Sequence, residues 1–245
     1  MASSSPPSSK RRRRTLTLED SPIVSSGKES SPLVVFAHGA GAPSTSDWMI
    51  RWKDILGKAL HAVEVVTFDY PYISHGKRRA PPKAEKLIEY HKDIIKEAIA
   101  KHPGHPLILA GKSMGSRVSC MVACQEGVKA SVVVCLGYPL KGMKGALRDE
   151  TLLELSVPTM FVQVILTQVQ LSMKGSKDGL CPLVKLKTVC QKMKTINELH
   201  VVDGGDHSLK IGKKHLNERG LTQDEAEDQA ANAVAKFVEK SLAGS

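Results

Sequence analysis

From Pro32 onward the chain alternates short, continuously apolar β-branched runs with longer segments whose apolar residues recur at helical spacing. This alternation constrains the fold more than any other feature, because a strand apolar on both faces needs cover on both faces. Strands are expected over residues 33–37, 63–68, 107–110, 131–136, 158–163 and 199–202. Between them, Trp48, Trp52, Ile55, Leu56, Ala59 and Val63 mark one helix, with Asp47 as its expected N-cap. Leu87, Ile88, His91, Ile94, Ile95 and Ala98 mark a second, closed by His102-Pro103-Gly104. Further helices are expected over 118–124, within 183–193, and over 222–242. The implied class is α/β: a three-layer αβα sandwich around a mostly parallel sheet, covered on both faces by right-handed crossovers. In such sheets functional groups gather at the carboxyl ends of the strands.

Composition narrows the classes that remain. The 245 residues are enough to bury one sizeable core, and one domain is expected. The longest apolar run, around residues 132–136, has strand length, so no membrane span is expected, and the N-terminus lacks the apolar core of a secretory signal. Five cysteines, odd in number and without CxxC pairing, suggest a reducing compartment with neither a disulfide framework nor a metal site. Lys10-Arg11-Arg12-Arg13-Arg14 supplies five of the ten net positive charges. It lies in a Ser- and Pro-rich segment, 1–31, that is expected to be a disordered tail ahead of a domain spanning 32–245. The basic run reads as a nuclear address, giving a cytoplasmic or nuclear location, with a plastid transit peptide as the alternative. The rest of the chain is only mildly basic, has 4% aromatic residues and carries no DNA-binding motif, which weighs against a nucleic-acid partner.

The chemistry centres on Gly111-Lys112-Ser113-Met114-Gly115. The GxSxG pattern alone is weakly specific. Its position, directly after one expected strand and directly before a helix, is the setting of a nucleophile elbow. Glycines two before and two after the serine relieve crowding in that turn. A serine hydroxyl needs a base to take its proton and an acid to orient the base, in the chain order Ser, Asp or Glu, His. After the strand at 199–202 comes Asp203-Gly204-Gly205-Asp206-His207-Ser208, which puts His207 on a loop at a strand's carboxyl end. Gly175-Ser176-Lys177-Asp178-Gly179 offers Asp178 as the acid; Asp203 and Asp206 are alternatives whose closeness to His207 in sequence makes orientation awkward. The oxyanion hole needs two backbone N–H groups, expected from Met114 and from Ala40 in His38-Gly39-Ala40-Gly41. His38 is expected to hydrogen-bond that loop rather than to catalyse.

Together, Ala37-His38-Gly39-Ala40-Gly41-Ala42, Gly111-Lys112-Ser113-Met114-Gly115-Ser116-Arg117, Gly175-Ser176-Lys177-Asp178-Gly179 and Gly204-Gly205-Asp206-His207-Ser208-Leu209 resemble an α/β-hydrolase. The resemblance runs from about residue 32 to 242. It is nearest to the small cap-less group typified by testis-expressed protein 30 and the hydrolase-like domain of NSL histone-acetyltransferase complex subunit 3. It implies a domain with a complete triad and no defined substrate, and it leaves room for protein partners, since some relatives serve as complex subunits.

In that group the strand at 159–163 runs almost directly into Gly-Ser-x-Asp, whereas here residues 164–174 intervene. If residues 158–173 all stayed extended, these sixteen would span roughly 53 Å, so the extra segment must turn back or loop out. The leading expectation is a serine hydrolase of esters, thioesters or similar small acyl compounds, needing no metal or organic cofactor. About twenty residues separate the strands at 131–136 and 158–163, too few for a helical lid. The rival expectation is a non-catalytic scaffold that keeps the triad as heritage of its fold. Lys77, Arg78, Arg79 and Lys83, with Lys141, Lys144 and Arg148, should line the catalytic rim and favour anionic acyl substrates if they are more than solvated loop residues.

Overall fold

The computed structural model describes residues 1, 31–74, 80–142, 145–165 and 181–244. Residues 2–30 of the expected tail, Lys77, Arg78, Arg79, Lys144 and Asp178 lie outside the described residues.

Six strands form one fully parallel sheet: β1 (Leu33–Ala37), β2 (Glu64–Phe68), β3 (Leu107–Lys112), β4 (Val132–Leu136), β5 (Thr159–Ile165) and β6 (Asn197–Asp203), in the order β2-β1-β3-β4-β5-β6. Every residue of β1, β3 and β4 is buried, which is why these strands read as unbroken apolar runs. The edge strands β2 and β6 carry Glu64, Asn197 and Glu198, and each leaves part of its length exposed.

The helices are α1 (Asp47–Ala59), α2 (Ile88–Lys101), α3 (Met114–Ala123), α4 (Glu150–Glu154), α5 (Leu183–Lys192), α6 (Lys213–Arg219) and α7 (Gln223–Ala243), with a 3₁₀ turn at Ala84–Leu87 before α2. Strand alternation divides the core into two layers. Val35, Leu109, Val133 and Phe161 pack on the side of α2, α3 and α5, with Ile95, Val118 and Leu186. Val34, Phe36, Ile108, Val134 and Met160 pack on the side of α1 and α7, with Trp52, Leu56, Val234 and Phe237. This is the three-layer sandwich expected from the alternation, without a large cap among the described residues. No helix among them is long and apolar enough to cross a membrane.

Several local expectations need correcting. Ser46, not Asp47, is the N-cap of α1; its extended backbone (φ −68°, ψ 148°) precedes a helix that already includes Asp47. The helix after the elbow starts at Met114 rather than Val118, because packing against β1 and β3 outweighs the poor helix propensity of Gly115 and Ser116. The fifth strand ends at Ile165, not at 163. Val164 is buried and pairs with Val202, and Ile165 pairs with Asp203, so the first two residues of the extra segment belong to the sheet. The 3₁₀ turn, α4 and α6 are too short to carry a periodic signal. The expected start of the last helix is matched by a capping box, in which the Thr222 side chain accepts from the Glu225 N–H and the Glu225 carboxylate accepts from the Thr222 N–H.

The chain leaves β1 for β2 on one side and then crosses to β3 on the other. The connections from β1 and β3 therefore leave toward opposite ends of the sheet, the topology that places functional groups at the carboxyl edge.

Candidate active site

Ser113 stands between the last residue of β3 and the first of α3 with φ +51° and ψ −113°, a conformation that L-residues rarely adopt. The flanking glycines explain how the turn closes. A Cβ on Gly111 would lie 2.3 Å from the Gly115 carbonyl carbon and the Ser116 nitrogen, and one on Gly115 would lie 2.4 Å from the Ala37 oxygen. The elbow is thus pressed onto the end of β1, and no side chain fits on its inner side. The Ser113 N–H donates to the Leu136 oxygen at 3.0 Å, fixing the turn to β4 as well.

His207 Nε2 lies 2.8 Å from Ser113 Oγ, hydrogen-bond distance between residues 94 apart in sequence. Its loop is held from two sides. Lys112 Nζ donates to the His207 carbonyl, and Trp48 Nε1 donates to the Ser208 carbonyl at 2.7 Å. Lys112 Nζ also sits 4.9 Å from the Trp48 ring centroid, a cation–π contact. Neither residue was singled out in the sequence. Lys112 occupies a variable position of GxSxG and Trp48 counts as one more helix-face hydrophobe, so no sequence signal marks either.

The alternative acids are engaged elsewhere. Asp206 Oδ1 accepts from the Ser208 and Lys210 N–H groups at 2.7 and 3.1 Å, folding the loop as an Asx turn. Asp203 accepts from Arg219. The ring edge of His207 that carries Nδ1 is buried. Asp178, the expected acid, lies outside the described residues; β5, which leads toward it, ends where the Ile165 oxygen accepts from the Gly204 N–H at 3.0 Å, in the loop that carries His207.

The loop after β1 lies against the serine, since a Cβ on Gly39 would be 3.5 Å from the Ser113 Cβ. Among the described residues neither the Ala40 nor the Met114 N–H has a hydrogen-bond acceptor. For Met114 this follows from its place at the start of a helix. His38 is wholly buried. The Tyr70 N–H donates to its Nε2 at 3.0 Å, which places the ring proton on Nδ1, where it donates to the Gly39 oxygen at 2.6 Å. Burial lowers the pKa of His38 against the opposing Gly39 bond and Asp69 charge, so the neutral form is favoured. The Tyr72 hydroxyl donates to the same Gly39 oxygen at 3.3 Å. Behind them, Tyr70 Oη lies 3.2 Å from Nδ1 of His91, a fully buried imidazole pushed down to about 3 by desolvation. A buried polar shell therefore shapes the loop that carries Ala40.

All five cysteines are free; Cys120, Cys135 and Cys181 are buried, and burial raises Cys124 and Cys190 to about 11 and Cys135 well above the usual thiol range, away from the reactive thiolate. Among the described residues no group of three His, Cys, Asp or Glu side chains is placed to hold a metal ion. A groove of about 950 Å³ opens at the opposite, amino edge of the sheet, lined in part by Leu60, Pro106, Leu107, Val238 and Leu242. It is remote from Ser113.

Known proteins of similar sequence and shape share this fold. A 102-residue stretch is 28% identical to a monoglyceride lipase homologue of monkeypox virus; it is 38% of this chain and about a third of that relative's length. The structure superposes on an alpha-beta serine hydrolase homologue from Coxiella burnetii with a TM-score of 0.59 at 17% identity, over 84% of this chain and 86% of the other. It superposes on an esterase from Pyrococcus furiosus with a TM-score of 0.59 at 13% identity, over 86% and 83% of the two chains. At these identities the two structures show a shared fold. The alpha/beta hydrolase domain model matches residues 30–239, most of the chain, and the protein therefore belongs to the alpha/beta-hydrolase family.

Proposed function

We propose that this protein is a serine hydrolase of small ester-type acyl compounds. The observation that carries the reading is the 2.8 Å contact between His207 Nε2 and the oxygen of a serine held at positive φ above the end of β3. As the ester carbonyl arrives, Ser113 Oγ forms a bond to its carbon and passes its proton to His207 Nε2. The carbonyl oxygen gains the negative charge and is received by the N–H groups of Ala40 and Met114. Collapse of this intermediate expels the alcohol oxygen, which takes the proton from Nε2 and leaves Ser113 acylated. Water then attacks the acyl carbon, His207 again taking and returning a proton, and the acid is released. Asp178 orients the imidazole through Nδ1 and stabilises its charged form. The buried Nδ1 edge, and the departure of β5 beside Gly204, support that assignment. The lipase and esterase descriptions of similar proteins point to the same reaction class.

Within the family we assign the chain to the cap-less group typified by testis-expressed protein 30 and the NSL subunit 3 domain. We divide it into a basic tail, 1–31, that addresses a cytoplasmic or nuclear location, and a hydrolase domain, 32–245. A fluorophosphonate probe tests the enzymatic reading: it should label the wild type and fail to label Ser113→Ala. Absence of labelling in folded wild-type protein contradicts catalysis and favours a scaffold.

A further inference from the structure

The residue just before the nucleophile carries a buried positive charge that the catalytic steps above do not use. Lys112 is the last residue of β3 and is 8% exposed. Its stem is packed: a Cβ on Gly39, in the loop after β1, would lie 3.4 Å from Lys112 Cγ. Methionine would fill the same space without taking an ammonium group out of water, which costs free energy unless the donors are used. Packing at the strand end therefore does not account for a lysine here.

The contacts of the ammonium do. Nζ donates to the His207 carbonyl. The two atoms meet over the bare α-carbon of Gly137, just past β4, where a Cβ would stand 3.3 Å from each and 3.5 Å from His207 Cε1. Gly137 has φ +71°, and its N–H donates to the Val162 oxygen at 2.8 Å, so β4 and β5 both shape this meeting place. Nζ also sits 4.9 Å from the Trp48 ring centroid, and Trp48 Nε1 donates to the next carbonyl, that of Ser208, at 2.7 Å. Two consecutive carbonyls of the loop are thus held by two side chains that are in cation–π contact with each other. One anchor would fix the position of the loop. Two on adjacent planar peptides also fix its orientation, and with it the direction in which the His207 ring leaves the backbone.

The arrangement ties base to nucleophile by a short covalent route. Ser113 follows Lys112 directly, its N–H donates to the Leu136 oxygen at 3.0 Å, and Lys112 pairs with Leu136 in the sheet. The side chain that holds the base therefore leaves the same pinned backbone as the side chain that attacks. Catalytic groups must be kept within about 0.5 Å of their productive geometry, a demand that the loop between β6 and α6 meets through such anchors.

We propose that Lys112, with Trp48 beside it, is a positioning residue of the hydrolase: through the backbone of the His207 loop it keeps Nε2 within reach of Ser113 Oγ. This rests on the serine-hydrolase reading.

The test begins with Lys112→Met, which removes the donor and keeps the stem. In protein shown to be folded by thermal unfolding, it should lower kcat for an aryl butyrate about tenfold or more while KM moves less than about twofold. Fluorophosphonate labelling should slow by a similar factor. The decisive reading is the same substitution in the His207→Ala background, labelled over longer times. A side chain that acts through the imidazole has nothing left to position there, so the residual labelling should change by less than about twofold. Equal slowing in both backgrounds overturns the proposal, and so does a folded Lys112→Met with the kcat and labelling rate of the wild type. If Lys112→Met fails to fold, Trp48→Phe carries the test, because it removes the Nε1 donor and keeps an aromatic face. It should slow labelling severalfold in the wild-type background and not in His207→Ala; labelling at the wild-type rate, or equal slowing in both, overturns the positioning role alone. A wild type that reacts with no probe overturns the hydrolase reading and the positioning role with it.

Discussion

At the carboxyl edge of the sheet, Ser113 stands at φ +51° in a turn whose glycine contacts leave no room for a Cβ, with buried Lys112 just before it and buried His38 in the adjoining loop, which Tyr70 links to His91. At the amino edge the strands begin plainly. The N–H groups of Leu33, Val63 and Val133 are received by the oxygens of Pro106, Pro32 and Pro158, and an apolar groove lies beside them. Positive φ occurs here too, at exposed His61 after α1 and at Gly104, whose missing Cβ would meet nothing within 4 Å. The same backbone angle thus has two origins. At the amino edge it is the left-handed turn that follows a helix, set by local geometry alone. At the carboxyl edge it is imposed by three strands and a helix converging on one residue, the pre-organisation that a nucleophile requires.

The largest expected effect comes from adding one methyl group at each edge. Gly115→Ala drives a Cβ into the Ala37 backbone and should destabilise the fold by about 3 kcal/mol or more. Gly104→Ala meets open space and should cost about 1 kcal/mol, from its positive φ alone. Urea unfolding of the two variants measures the contrast, and equal losses would erase it.

Acid should strike the carboxyl edge next. His91 titrates near 3 when folded, against about 6.5 when unfolded. Between those values the unfolded chain binds a proton that the native state refuses, so stability falls as pH falls, by roughly 1.4 kcal/mol per pH unit. Buried His38, shifted in the same direction, adds to the slope. From pH 6.5 to 5 the wild type should lose about 2 kcal/mol through His91, and His91→Phe should remove that share of the slope. Parallel stability curves for the two proteins would show that His91 does not titrate as its burial requires.

The unequal legibility of the sequence follows from the same comparison. The parallel sheet could be read because β1, β3 and β4 are buried on both faces, and continuous burial leaves a continuous apolar run. The elbow could be read because its two glycines stand at fixed positions within five residues around the serine, although the contact of Gly115 with Ala37 carries no local signal. Lys112 and Trp48 could not, because their roles arise from partners 95 and 160 residues away. The end of β5 was misplaced for a related reason: Val164 and Ile165 are held by β6 rather than by any local signal.

The smallest effect is expected at His61, where a side chain with no buried role occupies a left-handed position. His61→Gly should stabilise the protein by about 0.5 kcal/mol, a rise of a degree or two in Tm. A loss of stability there would mean that the amino edge, too, depends on a particular side chain at positive φ.

The central claim is that Ser113 and His207 act as one chemical unit, and the labelling rate of His207→Ala tests it most directly. The His207 carbonyl, not its ring, receives Lys112, so the substitution leaves the backbone anchor of the loop in place. Fluorophosphonate labelling should slow at least about 100-fold, the contribution of a lost general base, while Tm moves by no more than a few degrees. Labelling at the wild-type rate, or a large fall in Tm with labelling retained, would contradict the account and make His207 a structural residue.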